Sequence, residues 1–315
     1  MRLTKHILIN ISIVFLVSQT VFCGSNNTFD FLRNDVSARS AAMGGSFLIV
    51  HNDPNAIFYN PSALTTIEQP QASVGFFKYL LDINSGHLSY SQFIEGFGYV
   101  GGGIVYTNYG DFEEVNESGY NLGNFSANEL ALSAAYANKL TDDINYGASL
   151  KFIYSSIAGY SSSAFAVDLG AWYIVVPERF EVAASIVNLG TQIDPYINTK
   201  ESLPTDLKIG CALKPEHLPL RLNFSFNKLI EKQNNFISHF RAFSLGGEFS
   251  VAANVQLRFG YNNEQRKDFK VGTSSGLAGF SIGGGFIYDI YKIDYAFNSM
   301  GKIGALHRVT VGIFL

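Results

Sequence analysis

Cysteine is almost missing from this chain: of 315 residues only Cys23 and Cys211 carry a thiol. Cys23 falls at the end of an N-terminal leader, so the mature chain keeps Cys211 alone, which excludes an intramolecular disulfide and metal binding by cysteine clusters. Set among Leu207, Ile209 and Leu213, Cys211 reads as a packed thiol rather than a reactive one. Charge is scarce as well, at 15% against a usual quarter of residues. The net charge of −4 offers no basic surface, which argues against nucleic acid as a partner. After the leader no apolar run approaches the ~20 residues of a membrane helix.

The leader itself has the pattern of a secretory signal. Arg2 and Lys5 make its positive start, and Ile7 to Val17 makes an apolar centre too short to span a bilayer. Val21 and Cys23 suit the positions before a cleavage site, leaving Gly24 first. Lipidation of Cys23 is disfavoured by Phe22, which stands where a small residue is expected.

What the chain does have is aromatics, at 14%, and glycine, at 30 residues, with no linker that would divide it. Five stretches alternate with period two. In one, Tyr146, Ala148, Leu150, Phe152 and Tyr154 oppose Ser149, Lys151 and Ser155. The others run over 220–227, 255–262, 291–298 and 308–315. A soluble sandwich would alternate too. The connections are more informative. Strand cores are expected at 70–80, 85–95, 97–108, 125–138, 144–156, 163–174, 179–189, 205–213, 219–229, 239–249, 253–262, 276–286, 290–298 and 305–315. Short connections then alternate with a class that includes long ones, namely 109–124, 190–204, 230–238 and 263–275. Short periplasmic turns and longer outer loops are the pattern of an outer-membrane barrel. The expected fold is all-β, a 14-stranded antiparallel transmembrane β-barrel with both termini in the periplasm, its last strand pairing with its first.

One sizeable stretch is not strand-like: Ser37 to Leu64. Ala38 to Met43 suits one helical turn, ended by Gly44 and Gly45. Asn52, Asp53 and Pro54 start a second helix, and Asn60-Pro61 closes it. By itself this reads as a helical hairpin on a core. At the periplasmic mouth of a barrel whose lumen wall side chains cannot fill, it becomes a plug. The expected organisation is a signal over 1–23, a plug over 24–69 and a barrel over 70–315. Ser37, Arg39, Gly44, Gly45, Asn60 and Pro61 are its structural site residues, with Arg39 and Asn60 expected to bond lumen-facing strand residues.

Motifs for chemistry are few. Gly96-Phe97-Gly98-Tyr99-Val100-Gly101 matches a dinucleotide fingerprint by letter, but the run continues as strand where the mechanism needs a helix. That triplet and Gly283-Gly284-Gly285 are read as places of strand bending or close approach of the plug. The six histidines are scattered without ligand spacing, and no serine sits in a nucleophile elbow. No catalytic residue, metal or cofactor is expected. The lumen-side Lys151, Arg221, Arg258, Lys292 and Asp294 are expected to pair with one another or with the plug, because an unpaired buried charge is costly. Asp111, Glu113, Glu114 and Glu117 make one outer loop acidic.

SARSAAMGG (Ser37–Gly45), NPSAL (Asn60–Leu64), NLGTQ (Asn188–Gln192), ESLP (Glu201–Pro204), RFGYN (Arg258–Asn262), GLAGFSIGGGF (Gly276–Phe286) and His307-Arg308 occur in that order. With these motifs the chain resembles the PorV/PorQ family of bacterial outer-membrane proteins, relatives of FadL-type fatty-acid transporters, and is most similar to the PorQ branch. The resemblance implies a 14-stranded barrel with an N-terminal plug in the bacterial outer membrane. It also implies a non-enzymatic role in type IX protein secretion, with secretion and attachment-complex proteins or secreted cargo as partners beside outer-membrane lipid. The competing expectation is a FadL-like transporter of hydrophobic small molecules. A general porin ranks below both.

Overall fold

Along β5 (Ile144–Ile157) the alternation decides its own meaning. The polar set is buried, with Ser149, Lys151 and Ser155 each no more than 4% exposed, while Leu150 opposite them is 55% exposed. A soluble sheet would do the reverse. Polar residues therefore face a lumen and apolar ones face lipid, the arrangement of a membrane barrel.

The computed structural model describes residues 27–79, 83–231, 236–271 and 275–315; the leader expected over 1–23 lies outside them. Fourteen antiparallel strands close into one barrel in sequence order. They are β1 (Gln71–Lys78), β2 (Asn84–Ile94), β3 (Gly98–Val115), β4 (Asn121–Lys139), β5, β6 (Tyr160–Val176), β7 (Phe180–Asp194), β8 (Asp206–Leu213), β9 (Leu220–Phe226), β10 (Phe243–Ala252), β11 (Val255–Asn262), β12 (Phe280–Tyr288), β13 (Tyr291–Ser299) and β14 (Ala305–Phe314). The seam joins β1 to β14 over Gln71↔Phe314 to Lys78↔His307, so neither strand keeps a free edge. Phe76, Leu88, Leu257, Phe259, Ile282 and Ile293 are among the side chains of the exposed apolar belt. This is the architecture of a bacterial outer-membrane barrel.

Turns at one end are short, at 95–97, 140–143, 177–179, 214–219, 253–254 and 289–290, and this end faces the periplasm. The opposite end is uneven. Much of the expected loop over 109–124 is strand, because β3 and β4 run on as a hairpin after an irregularity at Asn108/Asp111, beside Gly110 at φ +81°. The expected loop from Gly190 likewise begins as strand, since β7 continues to Asp194. The pairing of β3 with β2 ends at Asn108 and that of β4 with β5 at Ala127, so from Asp111 to Phe125 the ribbon pairs only with itself.

The hydrophobic core is the plug. Phe47, Leu48, Ile49, Val50, Ile57 and Leu64 are at most 4% exposed, packed with Trp172 and Ala135 of the wall. Removing such side chains from water contributes ~1.5–3 kcal/mol each. The plug holds a single-turn helix, α1 (Ala38–Ala42), and short 3-10 helices at Pro54–Phe58 and Pro61–Thr66. Asn60 thus opens a further helix rather than only closing one.

The expectation that both termini lie in the periplasm is corrected at the N-terminal side. Asn27 bridges to Ser202, the Thr28 N–H donates to the Ser202 carbonyl at 3.0 Å, and Arg33 pairs with Glu231 at 2.6 Å. Both partners sit in outer connections, so the described chain starts at the outer mouth and threads down the lumen before β1.

Candidate functional site

Each end of the plug has a polar cause. Ser37 caps α1, accepting from the Ser40 N–H at 3.2 Å, and Gly44 and Gly45 leave the helix at φ +64° and +78°. Asp53 and Asn60 cap the two 3-10 helices, each followed by a proline. Asn60 does not bond the wall. Its Nδ2 donates to the Leu48 carbonyl at 2.9 Å and its Oδ1 accepts from Ser62, so it ties two plug segments together. The reason is proximity: Asn60 lies directly against Gly170, which offers no side chain to bond. Pro61 sits against Gly147, where a Cβ would come within 2.5 Å of its carbonyl carbon.

Arg39 does reach the wall. Its Nε and Nη2 hold both carboxylate oxygens of Glu248 on β10 at 2.8 and 2.7 Å, and Nη1 meets Asp53 at 3.1 Å. From there the charges close into a ring. Asp53 meets Lys292 at 3.3 Å, Lys292 meets Asp294 at 3.5 Å, Asp294 meets Arg258 at 2.6 Å, and Arg258 returns to Glu248 at 2.6 Å. Every cation touches two anions and every anion two cations. Burial disfavours the charge on Arg39, but Glu248 and Asp53 outweigh it and raise its pKa above the ordinary value. Burial also works against the Asp53 carboxylate, yet Lys292 and Arg39 prevail and hold it down at about 2. Lys151 likewise pairs with Asp168 at 2.7 Å, and Arg221 with Glu181 at 2.6 Å beside His51 of the plug at 3.1 Å.

Neutral contacts complete the attachment around the wall. Asn298 donates to the Ala41 carbonyl at 2.7 Å, Ser281 to Ala42 at 3.1 Å, Asn223 to Ile49 at 2.8 Å and Ser185 to Tyr59 at 3.0 Å. Arg308 bonds Asn298 at 2.7 Å and lies 4.4 Å over the Phe77 ring.

Above the plug, at the outer mouth, a cavity of about 180 Å³ is lined by Tyr109, Phe112, Ala127, Glu129, Ser155, Ile157 and Tyr196. Its rings are held from behind. The Tyr109 hydroxyl donates to Glu129, the Tyr196 hydroxyl to Ser155, and Phe112 stacks on Phe125 at 5.3 Å. Phe29, at 6.5 Å from the Tyr196 ring, belongs with Phe31, Ile153 and Leu203 to an apolar cluster that separates this vestibule from the plug below. Sequence reasoning did not find these residues, because they meet only when β3, β4, β5 and the connection after β7 are side by side. The one available signal was Glu129, a carboxylate on the same strand face as Ala131 and Ser133.

Comparison with known proteins gives a likeness of fold. No protein-family model matches the sequence, and no curated protein matches it. Among solved structures, the toluene transporter TodX of Pseudomonas putida superposes with a TM-score of 0.62 over 89% of this chain and 96% of its own, at 13% identity. The toluene transporter TbuX of Ralstonia pickettii gives 0.60 over 88% and 96% at 14% identity. A FadL homologue of Pseudomonas aeruginosa gives 0.55 over 89% and 98% at 11% identity. The chain thus has the 14-stranded barrel fold of FadL-like outer-membrane channels.

Proposed function

We propose that this chain is a non-enzymatic outer-membrane barrel that admits small hydrophobic molecules, collected in the vestibule and passed by way of the plug. The observation that carries this reading is the apolar-walled cavity of about 180 Å³ at the outer mouth of a plugged lumen. A cavity of ~150 Å³ is enough to hold benzene. The shared fold with two toluene transporters supports the same reading. Deleting the gene and measuring uptake of small aromatic compounds tests it: uptake falls and returns with the wild-type gene, whereas unchanged uptake overturns it.

A second reading, a component of type IX secretion that binds cargo or attachment-complex partners, draws support from the ribbon over 111–126. Its exposed Val115, Tyr120 and Leu122 form an apolar tip suited to a protein partner. The same deletion strain separates the two readings. Lost export of secreted proteins with normal uptake favours partner binding, and intact export with lost uptake removes it.

A further inference from the structure

The carboxylates buried deeper in the lumen have cations beside them: Asp53 has Arg39 and Lys292, Asp168 has Lys151, Glu181 has Arg221, and Asp294 has Arg258. Glu129 differs. It is only 9% exposed and lines the vestibule, yet its partners are the hydroxyls of Tyr109 and Ser155, and no ion pair among the described residues includes it. A buried carboxylate without a counter-charge is costly, and each of the others avoids that cost.

We propose that the vestibule binds a small organic ammonium ion, an aromatic or quaternary amine, with the Glu129 carboxylate as its counter-charge. This rests on reading the vestibule as a small-molecule site and names the ligand class it takes. Tyr109, Phe112 and Tyr196 line the same cavity as that carboxylate. Aromatic faces attract cations, by ~2 kcal/mol or more where water is excluded, and a carboxylate among rings is the combination that recognises substituted ammonium groups. A neutral hydrocarbon would fill the same walls but leave Glu129 unanswered.

The β3–β4 ribbon beside it carries the same sign. Residues 109–126 include Asp111, Glu113, Glu114 and Glu117 and no lysine or arginine. Asp30 also lies close enough to Glu129 to add its field, offset in part by Arg33, 3.4 Å from Asp30. A ribbon of one sign beside the vestibule concentrates counter-ions there and speeds their entry. It would repel a carboxylate ligand such as a fatty acid or benzoate.

The test is titration of the purified full-length barrel in detergent at pH 7 and low salt, read by tyrosine fluorescence and calorimetry. The probes are benzylammonium, tetramethylammonium, toluene, benzyl alcohol and benzoate. Benzylammonium is expected to bind about tenfold or more tightly than toluene or benzyl alcohol, with benzoate weakest and the preference shrinking as salt rises. Glu129→Gln is expected to level the series, and Phe112→Leu to weaken both ammonium ions while the fold, followed by circular dichroism, is kept. Toluene binding as tightly as benzylammonium overturns the proposal and leaves the small-molecule reading standing. So does a cation preference that survives Glu129→Gln. Binding of none of the five overturns both. If Glu129→Gln does not fold, the wild-type series and Phe112→Leu decide alone.

Discussion

Arg39 of the plug and Glu248 of β10 meet by two parallel contacts, 2.8 and 2.7 Å, from the guanidinium edge to the two carboxylate oxygens. The pair joins an element that could move to one that cannot. It is also one side of a ring of six charges that alternate in sign, two from the plug and four from the wall, so withdrawing the plug would take one partner each from Glu248 and Lys292.

Breaking that contact from one side therefore costs more than the pair is worth. Arg39→Ala leaves Glu248 and Asp53 short of a cation, and ~3–5 kcal/mol of lost stability is the scale for a broken buried pair. Arg39→Lys keeps the charge but loses the two-point geometry and is expected to fall between. The measurement is protease access to the plug in the folded barrel, with melting followed on gels. Arg39→Met combined with Glu248→Met is expected to cost less than Arg39→Ala. An Arg39→Ala barrel with wild-type protection would remove the ring from any role in holding the plug.

Much of this was legible in the sequence. Five of the fourteen strands announce themselves by alternation, and the alternating connection classes point to the barrel and its orientation. Asn52, Asp53 and Pro54 and the closing glycines Gly44 and Gly45 mark the plug in the sequence, because capping is local chemistry, whereas Ser37 and Asn60 emerge as caps only in the structure. Arg39 was found as a wall contact, but its partner was not: Glu248 lies 209 residues away, and pairing at that distance depends on strand register. Asn60 was misassigned for the complementary reason, since the wall opposite it is Gly170. The tall β3–β4 ribbon looks like a loop in the sequence because its acidic residues and glycines resemble a turn.

Asp53 makes the attachment depend on pH in a defined direction. Its pKa in the folded chain, about 2, lies below its ordinary 3.8, so the stability it contributes is fully present above pH ~4 and is lost as pH falls toward 2. The contribution is on the order of 2 kcal/mol. Hydrogen exchange of the plug amides is expected to be unchanged in protection from pH 7 to about 4.5 once intrinsic rates are corrected, and to loosen between about 4 and 2. Loosening already between pH 7 and 5 would show that another group controls docking.

Gly260 on β11 allows the plug to approach to backbone distance. A Cβ there would lie 2.1 Å from the Gly44 nitrogen and 2.3 Å from the Met43 carbonyl carbon. Gly260→Ala is expected to lower stability by ~1–3 kcal/mol or more through overpacking, lowering the temperature at which the folded band is lost. Gly102→Ala is the control, since its Cβ would meet nothing nearer than a carbonyl oxygen at 4.0 Å. Equal melting of the two variants would place the plug farther from β11 than described.

The course of the N-terminal segment can be tested in living cells. Asp30, with its side chain 70% exposed, lies beside Arg33, which reaches Glu231 in an outer connection, whereas Glu216 sits in a short turn at the periplasmic end with 55% of its side chain exposed. In a Cys211→Ser background, Asp30→Cys and Glu117→Cys are expected to react with a maleimide that does not cross the outer membrane. Glu216→Cys is expected to react only after that membrane is permeabilised. Permeabilisation should leave Asp30→Cys labelling unchanged, because the plug core of Phe47, Ile57 and Leu64 separates it from the periplasm. If Asp30→Cys instead behaves like Glu216→Cys, the segment enters from below, and the cluster of Phe29 and Phe31 beneath the vestibule would have to be placed elsewhere.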